Sequence, residues 1–432
     1  MTTRIVRTQG TGTSTKKFTL SAWVKKSSNT TSNDQVIFDN YASGSDRMTL
    51  YFTSSATLGF YAVKGGSDFN IVTNRVFRDV NAWYHIVLRV DTDQGNNAHR
   101  SRLYINGTEE TSFGTASYAS SGFALPMGTS SYTTGFGWYG GGGSSVFDGC
   151  MSHLNFIDGE DRTPDYFGET DSTTGEWKIK TSISGVTYGN NGFFILKDGN
   201  SLTDQSGESN NFTLNTGTLT KTEDCPSNVF ATMNPLSSGS DMVLSYGNTR
   251  IRNDQGTWNS GLGTIAPGTG KYYWEVYVHG GGDNNTGVSL SSAFGANHSE
   301  VDAGRVVYSR NGYIYREGLS GQSNVSTGVT YGDGDYIGVA FDTENGVLTF
   351  YKNGTAVTNG ATTDTSFYRS NNEYIPQCGL YNGGEFRFNF GNGAFGTTQL
   401  TGTTYQGDGN IGIFKYDPPT GFTALSTKGL NR

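Results

Sequence analysis

Residues able to do chemistry are few and scattered along this chain. Cleaving a glycosidic bond takes two carboxylates across a cleft, about 5–5.5 Å apart when configuration is retained. The nearest grouping is Glu169, Asp171 and Glu176 in "GETDSTTGE". Its last spacing is too long for one strand face, and the segment reads as a turn. Histidines stand at 85, 99, 153, 279 and 298, with no Gly-x-Ser-x-Gly elbow or cysteine signature beside them. His85 and His153 are expected to be structural or surface residues. Oxygen ligands for calcium could come from "DTDQGNN" (Asp91, Asp93, Asn96) or "DGEDRTPD" (Asp158, Glu160, Asp161, Asp165). Neither follows a fixed calcium-loop spacing, so solvated turns are the simpler expectation. "YGGGGSS" (Tyr139–Ser145) lacks the Lys-Ser/Thr of a phosphate loop.

Recognition leaves a stronger trace than catalysis. "YTTGFGWYGGGGSS" (Tyr132–Ser145) is aromatic and glycine-rich at once. Exposed rings on a loop make a platform for a sugar face, so Phe136, Trp138 and Tyr139 are the ligand-binding candidates of the first half. The alternative is that Phe136 and Trp138 alternate into a core and only Tyr139 faces out. The phrase Asn-Gly-Thr occurs at Asn106 and again at Asn353. Each is formally a glycan acceptor, but Asn-Gly is also the strongest short-range hairpin signal, because a type I′ turn needs φ > 0 at both central residues. A turn is the expected reading.

Such residues must be positioned by strands. Gly accounts for 62 of 432 residues, aromatics for 13% and charged residues for only 16%. Short aromatic and β-branched runs separated by Gly, Ser, Thr, Asn and Asp belong to an all-β protein. "AWYHIVLRVDT" places Tyr84, Ile86, Leu88 and Val90 on one face, against Trp83, His85, Val87 and Arg89. "GKYYWEVYV" alternates Tyr272, Trp274, Val276 and Val278 against Tyr273, Glu275 and Tyr277. Asp335–Val357 reads as a three-stranded meander turning at Asn345-Gly346 and Asn353-Gly354. Cys150 shares parity with Leu154 and Phe156, and Cys378 with Leu380, so both are expected in cores. Cys225 lies in a loop and suggests no role. The net charge is −8 without a basic stripe, which argues against nucleic acid. No apolar run approaches a membrane span. "MTTRIVRTQGTGTSTKKF" has no hydrophobic segment that could act as a secretion signal.

Four regions follow: a sandwich over 1–166, an ordered turn-rich connector over 167–235, a second sandwich over 236–396, and an extended closing segment over 397–432. The second half resembles the SPRY family through "GKYYWEVYV", "YSRNGYIYREG", "GDYIGVAFDTENGVLTFYKNG" and "GLYNGGEFRFNFG". That resemblance implies peptide binding through loops on one edge, where Trp258, Tyr308, Arg310, Arg316, Arg369 and Tyr381 fall. The first half resembles laminin-G/concanavalin A-like sandwiches through "FTLSAWVKKS", "WYHIVLRVDT" and "FDGCMSHLNFIDG". Some members of that group are hydrolases, and laminin-G-like domains often hold one calcium at a rim. The whole arrangement, with Asn191–Phe193, Phe230–Pro235 and Pro418–Leu425, resembles structural proteins of marine bacteriophages.

The expectation is therefore two tandem antiparallel jelly-roll-like β-sandwiches in a non-enzymatic virion protein: a tail fibre, appendage or capsid decoration. It would need no cofactor, calcium apart. Its partners would be other virion proteins and a host surface glycan or receptor. It would not insert into a membrane, and it would form a homo-oligomer, with a trimer the usual form for fibres. It would be released with the particle by lysis. A soluble lectin or SPRY-type adaptor is the alternative, and a polysaccharide-acting enzyme the third reading.

Overall fold

The computed structural model describes residues 3–28, 32–197, 199–291, 304–317, 323–363 and 374–432. The chain divides into two compact units, Met1–Leu219 and Thr220–Arg432, and each is a pair of antiparallel sheets.

In the first unit an eight-stranded sheet runs, in spatial order, Phe113–Ser117, Ser67–Val76, Thr57–Lys64, Asp46–Phe52, Gln35–Ser43, Thr133–Phe136, Arg4–Thr8, Thr213–Thr216. A six-stranded sheet runs Phe193–Ile195, Gly149–Asp158, Lys17–Lys26, Trp83–Asp91, Ser101–Ile105, Thr108–Glu110. Alternation sends Phe18, Leu20, Ile86, Leu88 and Phe156 from one sheet against Phe38, Leu50 and Phe60 from the other. Phe18 stacks on Phe156 at 5.2 Å and meets Phe60 edge-on at 6.2 Å.

The expected connector is not a separate body. Its stretch up to Leu219 belongs to the first unit. Phe193–Ile195 adds a strand beside Gly149–Asp158, and Thr213–Thr216 adds one beside Arg4–Thr8. Phe193, Ile195 and Phe212 lie in the core. Ahead of both strands, the chain from Tyr166 to Tyr188 covers the outward side of the six-stranded sheet, where Val87, Tyr104, Ile157 and Phe167 are buried.

The second unit repeats this plan. A seven-stranded sheet runs Met233–Ser238, Asn259–Gly263, Tyr374–Leu380, Asn284–Leu290, Arg305–Ser309, Tyr313–Glu317, Val325–Ser326. Facing it are Met242–Ser245, Arg250–Asn253, Gly384–Asn389, Lys271–His279, Tyr336–Asp342, Val347–Lys352 and Thr355–Thr363. The predicted meander is the last three of these. Tyr272, Trp274, Val276 and Val278 enter the core, and Tyr273 packs on the outward side. The closing segment is built into this unit. Thr423–Ala424 pairs in parallel with Tyr272–Tyr273, and Leu425 is buried. The fully buried Glu275 accepts the backbone N–H of Lys415 at 2.9 Å and of Tyr416 at 2.8 Å. Burial raises its carboxyl to about 7, against the pull of those two N–H groups.

A bulge alters one expectation. Pairing between Gly149–Asp158 and Lys17–Lys26 shifts between Ser152 and Asn155, and His153 has φ 49°. One extra residue reverses the alternation. Leu154 and Phe156 point inward, but before the bulge it is Met151 that meets the core, and Cys150 is only half-buried. Cys378 is buried as expected, and its thiol is pushed up to about 12 by desolvation.

Both Asn-Gly-Thr phrases are hairpins with φ > 0 at each central residue: 48° and 79° at Asn106-Gly107, 50° and 80° at Asn353-Gly354. The Asn106 side chain accepts His85 N–H, and that of Asn353 accepts Tyr336 N–H, both at 2.8 Å. Each glycine also lies under a ring from a later segment. A Cβ would approach Trp177 to 2.5 Å at Gly107 and Tyr416 to 2.6 Å at Gly354. Gly107→Ala and Gly354→Ala therefore combine left-handed strain with a clash, and each should destabilise its unit by roughly 2–3 kcal/mol. Gly65→Ala, with φ 58° and open space around it, should cost about 1 kcal/mol. Urea unfolding of the three variants checks the difference.

Candidate ligand-binding face

Phe136 is not a ligand contact. It is 1% exposed, and its ring packs on Phe38, Phe193 and Phe212 at 5.4, 5.9 and 5.8 Å. The inward parity of its strand decides this. Trp138 is half-buried, and its indole N–H donates to the Gly143 carbonyl at 3.0 Å, which closes the glycine-rich loop on itself. Tyr139 turns onto the outer face of the eight-stranded sheet. It meets Tyr41 edge-on at 5.5 Å, and the Arg47 guanidinium lies 5.3 Å from its ring centre.

Tyr139 thereby joins a surface made by strands. Met48, Leu50 and Phe52 point inward, as do Leu58, Phe60 and Ala62. Their neighbours Arg47, Thr49, Tyr51, Gly59 and Tyr61 therefore point outward. Register sets Asp39, Thr49, Tyr61 and Asn70 in one row across four strands. The Tyr51 ring lies across Gly59, where a Cβ would come within 2.7 Å of it. Asp39 is buried beneath Gly140, whose N–H it accepts, with Arg4 at 3.5 Å. Burial raises its carboxyl to about 6, opposed by Arg4 and that N–H. Asp39 Oδ1, Thr49 Oγ1 and Asn70 Oδ1 are buried with no hydrogen-bond partner. Tyr41, Arg47, Tyr51 and Tyr61 lie on strands, outside the loops to which the sequence points for ligand contacts. The available signal was their alternation with core residues in "DRMTLYF" and "TLGFYAV".

Among the described residues, the candidate catalytic groups are placed as follows. Asp39 and Asp68 are outward-pointing acids on strands three spacings apart, about 14 Å, beyond the carboxylate separations of glycoside hydrolysis. Glu169 and Asp171 both pair with Lys178, at 3.5 and 3.2 Å, on an exposed hairpin. Backbone N–H groups of Thr174 and Thr173 hold Asp171 at about 2. Ser21 Oγ stands 2.9 Å from His85 Nε2, a suggestive pair. However, Trp177 Nε1 donates to His85 Nδ1 at 2.9 Å. An indole only donates, so Nδ1 is the acceptor, the proton sits on Nε2, and the ring cannot take a proton from Ser21. His85 is fully buried between Trp23 and Trp177, with ring centres at 4.7 and 5.9 Å, and is lowered to about 3 by burial.

The calcium candidates have other duties. Asp91 pairs with Lys17 at 2.9 Å and Asp93 with Lys16 at 3.0 Å. Asp158 accepts the backbone N–H of Thr13, Ser14 and Asn191 at 2.7, 3.1 and 3.1 Å. Among the described residues, no three His, Cys, Asp or Glu side chains gather as a metal site.

In the second unit, Tyr308 is core: it is 0% exposed, packs on Tyr331 and Phe350, and donates to the Val329 carbonyl. Its inward strand parity, like that of Phe136, excludes it from ligand contact. Arg310 is half-buried, and its Nη1 donates to the Gly281 and Gly282 carbonyls, both at 2.7 Å. Arg316 reaches Thr362 Oγ1 at 2.9 Å and the Ala361 carbonyl at 3.1 Å. Both arginines tie backbone together. Arg369 lies outside the described residues. Trp258 and Tyr381 come together at 5.6 Å, both half-exposed. Asn253 joins their loops by donating to the Thr257 and Leu380 carbonyls at 2.7 and 2.8 Å.

His85 makes the first unit acid-sensitive. Its folded value lies below the ordinary 6.5, so its contribution is complete above pH 6.5 and is lost as pH falls toward 3, by roughly 1.4 kcal/mol per unit. Asp39 acts with opposite sign, its contribution being lost as pH rises from 3.8 through about 6. Denaturant unfolding between pH 7 and 5 should show a smaller loss of stability in His85→Gln than in the native protein.

Residues 2–165 match the concanavalin A-like lectin/glucanases superfamily, and residues 271–393 match the SPRY domain. No curated protein matches the chain. Similar solved structures include the SPRY domain of human HERC1, 20% identical over 36% of this chain and 96% of that one, with a TM-score of 0.29. Another is the native heptameric SAP-like pentraxin from Limulus polyphemus, 22% identical over 38% of this chain and 72% of that one, with a TM-score of 0.29. The chain thus carries an N-terminal concanavalin A-like domain and a C-terminal SPRY domain, both antiparallel sandwiches.

Proposed function

We propose that this tandem of a concanavalin A-like and a SPRY domain is a non-enzymatic binding protein of a bacteriophage particle: a tail fibre, appendage or capsid-decoration component. The first domain holds a host surface glycan on the outer face of its eight-stranded sheet. The second engages a protein partner through the loops carrying Trp258 and Tyr381. The observation that carries this reading is the outward cluster of Tyr41, Tyr51, Tyr61 and Tyr139 around Arg47, half-exposed on a rigid sheet. Aromatic faces offer a sugar ring a large apolar area at little entropic cost. Beneath the rings, the buried oxygens of Thr49 and Asn70 lack a hydrogen-bond partner.

The virion role is supported by the phage-like order of the sequence phrases. Self-association fits the open edges of the sheets, such as Phe113–Ser117, since an unpaired strand edge needs a cover or a partner.

Binding to a glycan panel should fall about tenfold in Tyr51→Ala and in Tyr61→Ala, with unfolding midpoints little changed. Native affinity in both variants would remove the sheet face from the reading. Mass spectrometry of purified particles should find this chain. Its absence there, with glycan binding intact, would favour a free lectin.

A further inference from the structure

Arg47 is the distinctive group on this face. Its cross-strand neighbours are Tyr41 and Val63. Its guanidinium lies 5.2 Å from the centre of the Tyr61 ring and 5.3 Å from that of Tyr139, so two rings fix it. Nη1 donates to the Gly44 carbonyl at 3.0 Å, which fixes one edge. Among the described residues no carboxylate pairs with it. The acids nearby are otherwise placed: Asp39 is with Arg4, Asp68 accepts the Tyr61 hydroxyl at 3.2 Å, and Asp46 alternates to the other side of the sheet. A planar cation held between rings and lacking an acid is preorganised to meet a carboxylate through two parallel N–H groups. The Tyr51 ring lies flat on Gly59 along the same face, and the buried oxygens of Thr49 and Asn70 there have no partner.

The geometry points to an acidic oligosaccharide as the ligand of this face, with a uronate carboxylate on Arg47 and the neighbouring pyranose ring on the tyrosines. This rests on the glycan-binding reading above and adds the chemical class. The strand spacing of about 4.8 Å is close to the length of one sugar unit, so a chain laid across the strands meets a new strand at each residue.

The test is calorimetry on the full chain with galacturonate hexamer, and with the same hexamer methyl-esterified so that each carboxylate charge is removed. The acidic hexamer should bind at least tenfold tighter. That preference should shrink with salt, fall several-fold in Arg47→Lys, which keeps the charge and loses the fork, and vanish in Arg47→Gln. The esterified hexamer, which offers Arg47 no carboxylate, should lose less affinity than the acidic one in both variants, and unchanged urea unfolding midpoints report that the variants are folded. Equal binding of the two hexamers by the native protein overturns the acidic class and leaves glycan binding standing. Preference retained in Arg47→Gln overturns the role of Arg47. Binding of neither hexamer overturns the acidic class too, and the wider panel then decides whether any glycan binds.

Discussion

A β-strand has two sides, and in a sandwich one of them is committed to the opposing sheet. Nearly everything in this protein follows from how the second side is used. In the first unit the outward side of the six-stranded sheet is covered by the chain around Tyr166–Tyr188. The outward side of the eight-stranded sheet carries half-exposed tyrosines and an arginine. Among the described residues, the outer face left uncovered in this unit is therefore that of the eight-stranded sheet. That face is rigid because its reverse is packed with Met48, Leu50, Phe52, Leu58 and Phe60.

The two covers are built alike. In each unit a segment downstream of the main strands returns and lays a ring over an Asn-Gly turn: Trp177 over Gly107, and Tyr416 over Gly354. In each, the asparagine caps the neighbouring strand through its side-chain oxygen. Buried polar groups hold the returning segments down: His85 takes the Trp177 indole, and Glu275 takes two backbone N–H groups. A titratable group beneath a strap explains both the low value of His85 and the high value of Glu275, since burial penalises the charged form of either.

Much of the fold was legible in the sequence because it depends on local patterns. Alternation marked the strands of "WYHIVLRVDT" and "YYWEVYV", and Asn-Gly marked the turns. The site was less legible, for a physical reason. Tyr51 and Phe52 look equally strand-like, and only the register of several strands together decides which of them meets the other sheet. The same applies to Phe136 and Tyr308, aromatic residues placed in binding loops by sequence and in cores by parity. The bulge at His153, where one residue reverses the alternation, has no clear signature in "GCMSHLNF". Nor does alternation tell which outer face a distant segment will cover.

That distance has its own consequence for how the protein is made. Arg4–Thr8 is a strand of the eight-stranded sheet, yet its outer neighbour is Thr213–Thr216, and Thr3 reaches the Thr218 carbonyl across 215 positions. The residues that resemble the concanavalin A-like family end at 165, before either the strap or this closing strand. A ribosome that has delivered only the family-like part has delivered an open sandwich, with Val87 and Ile157 bare and one edge of each sheet unpaired. The first unit must wait for some fifty more residues before it can shut. Its vulnerable period during synthesis is set by the part of the chain that looks least like a domain.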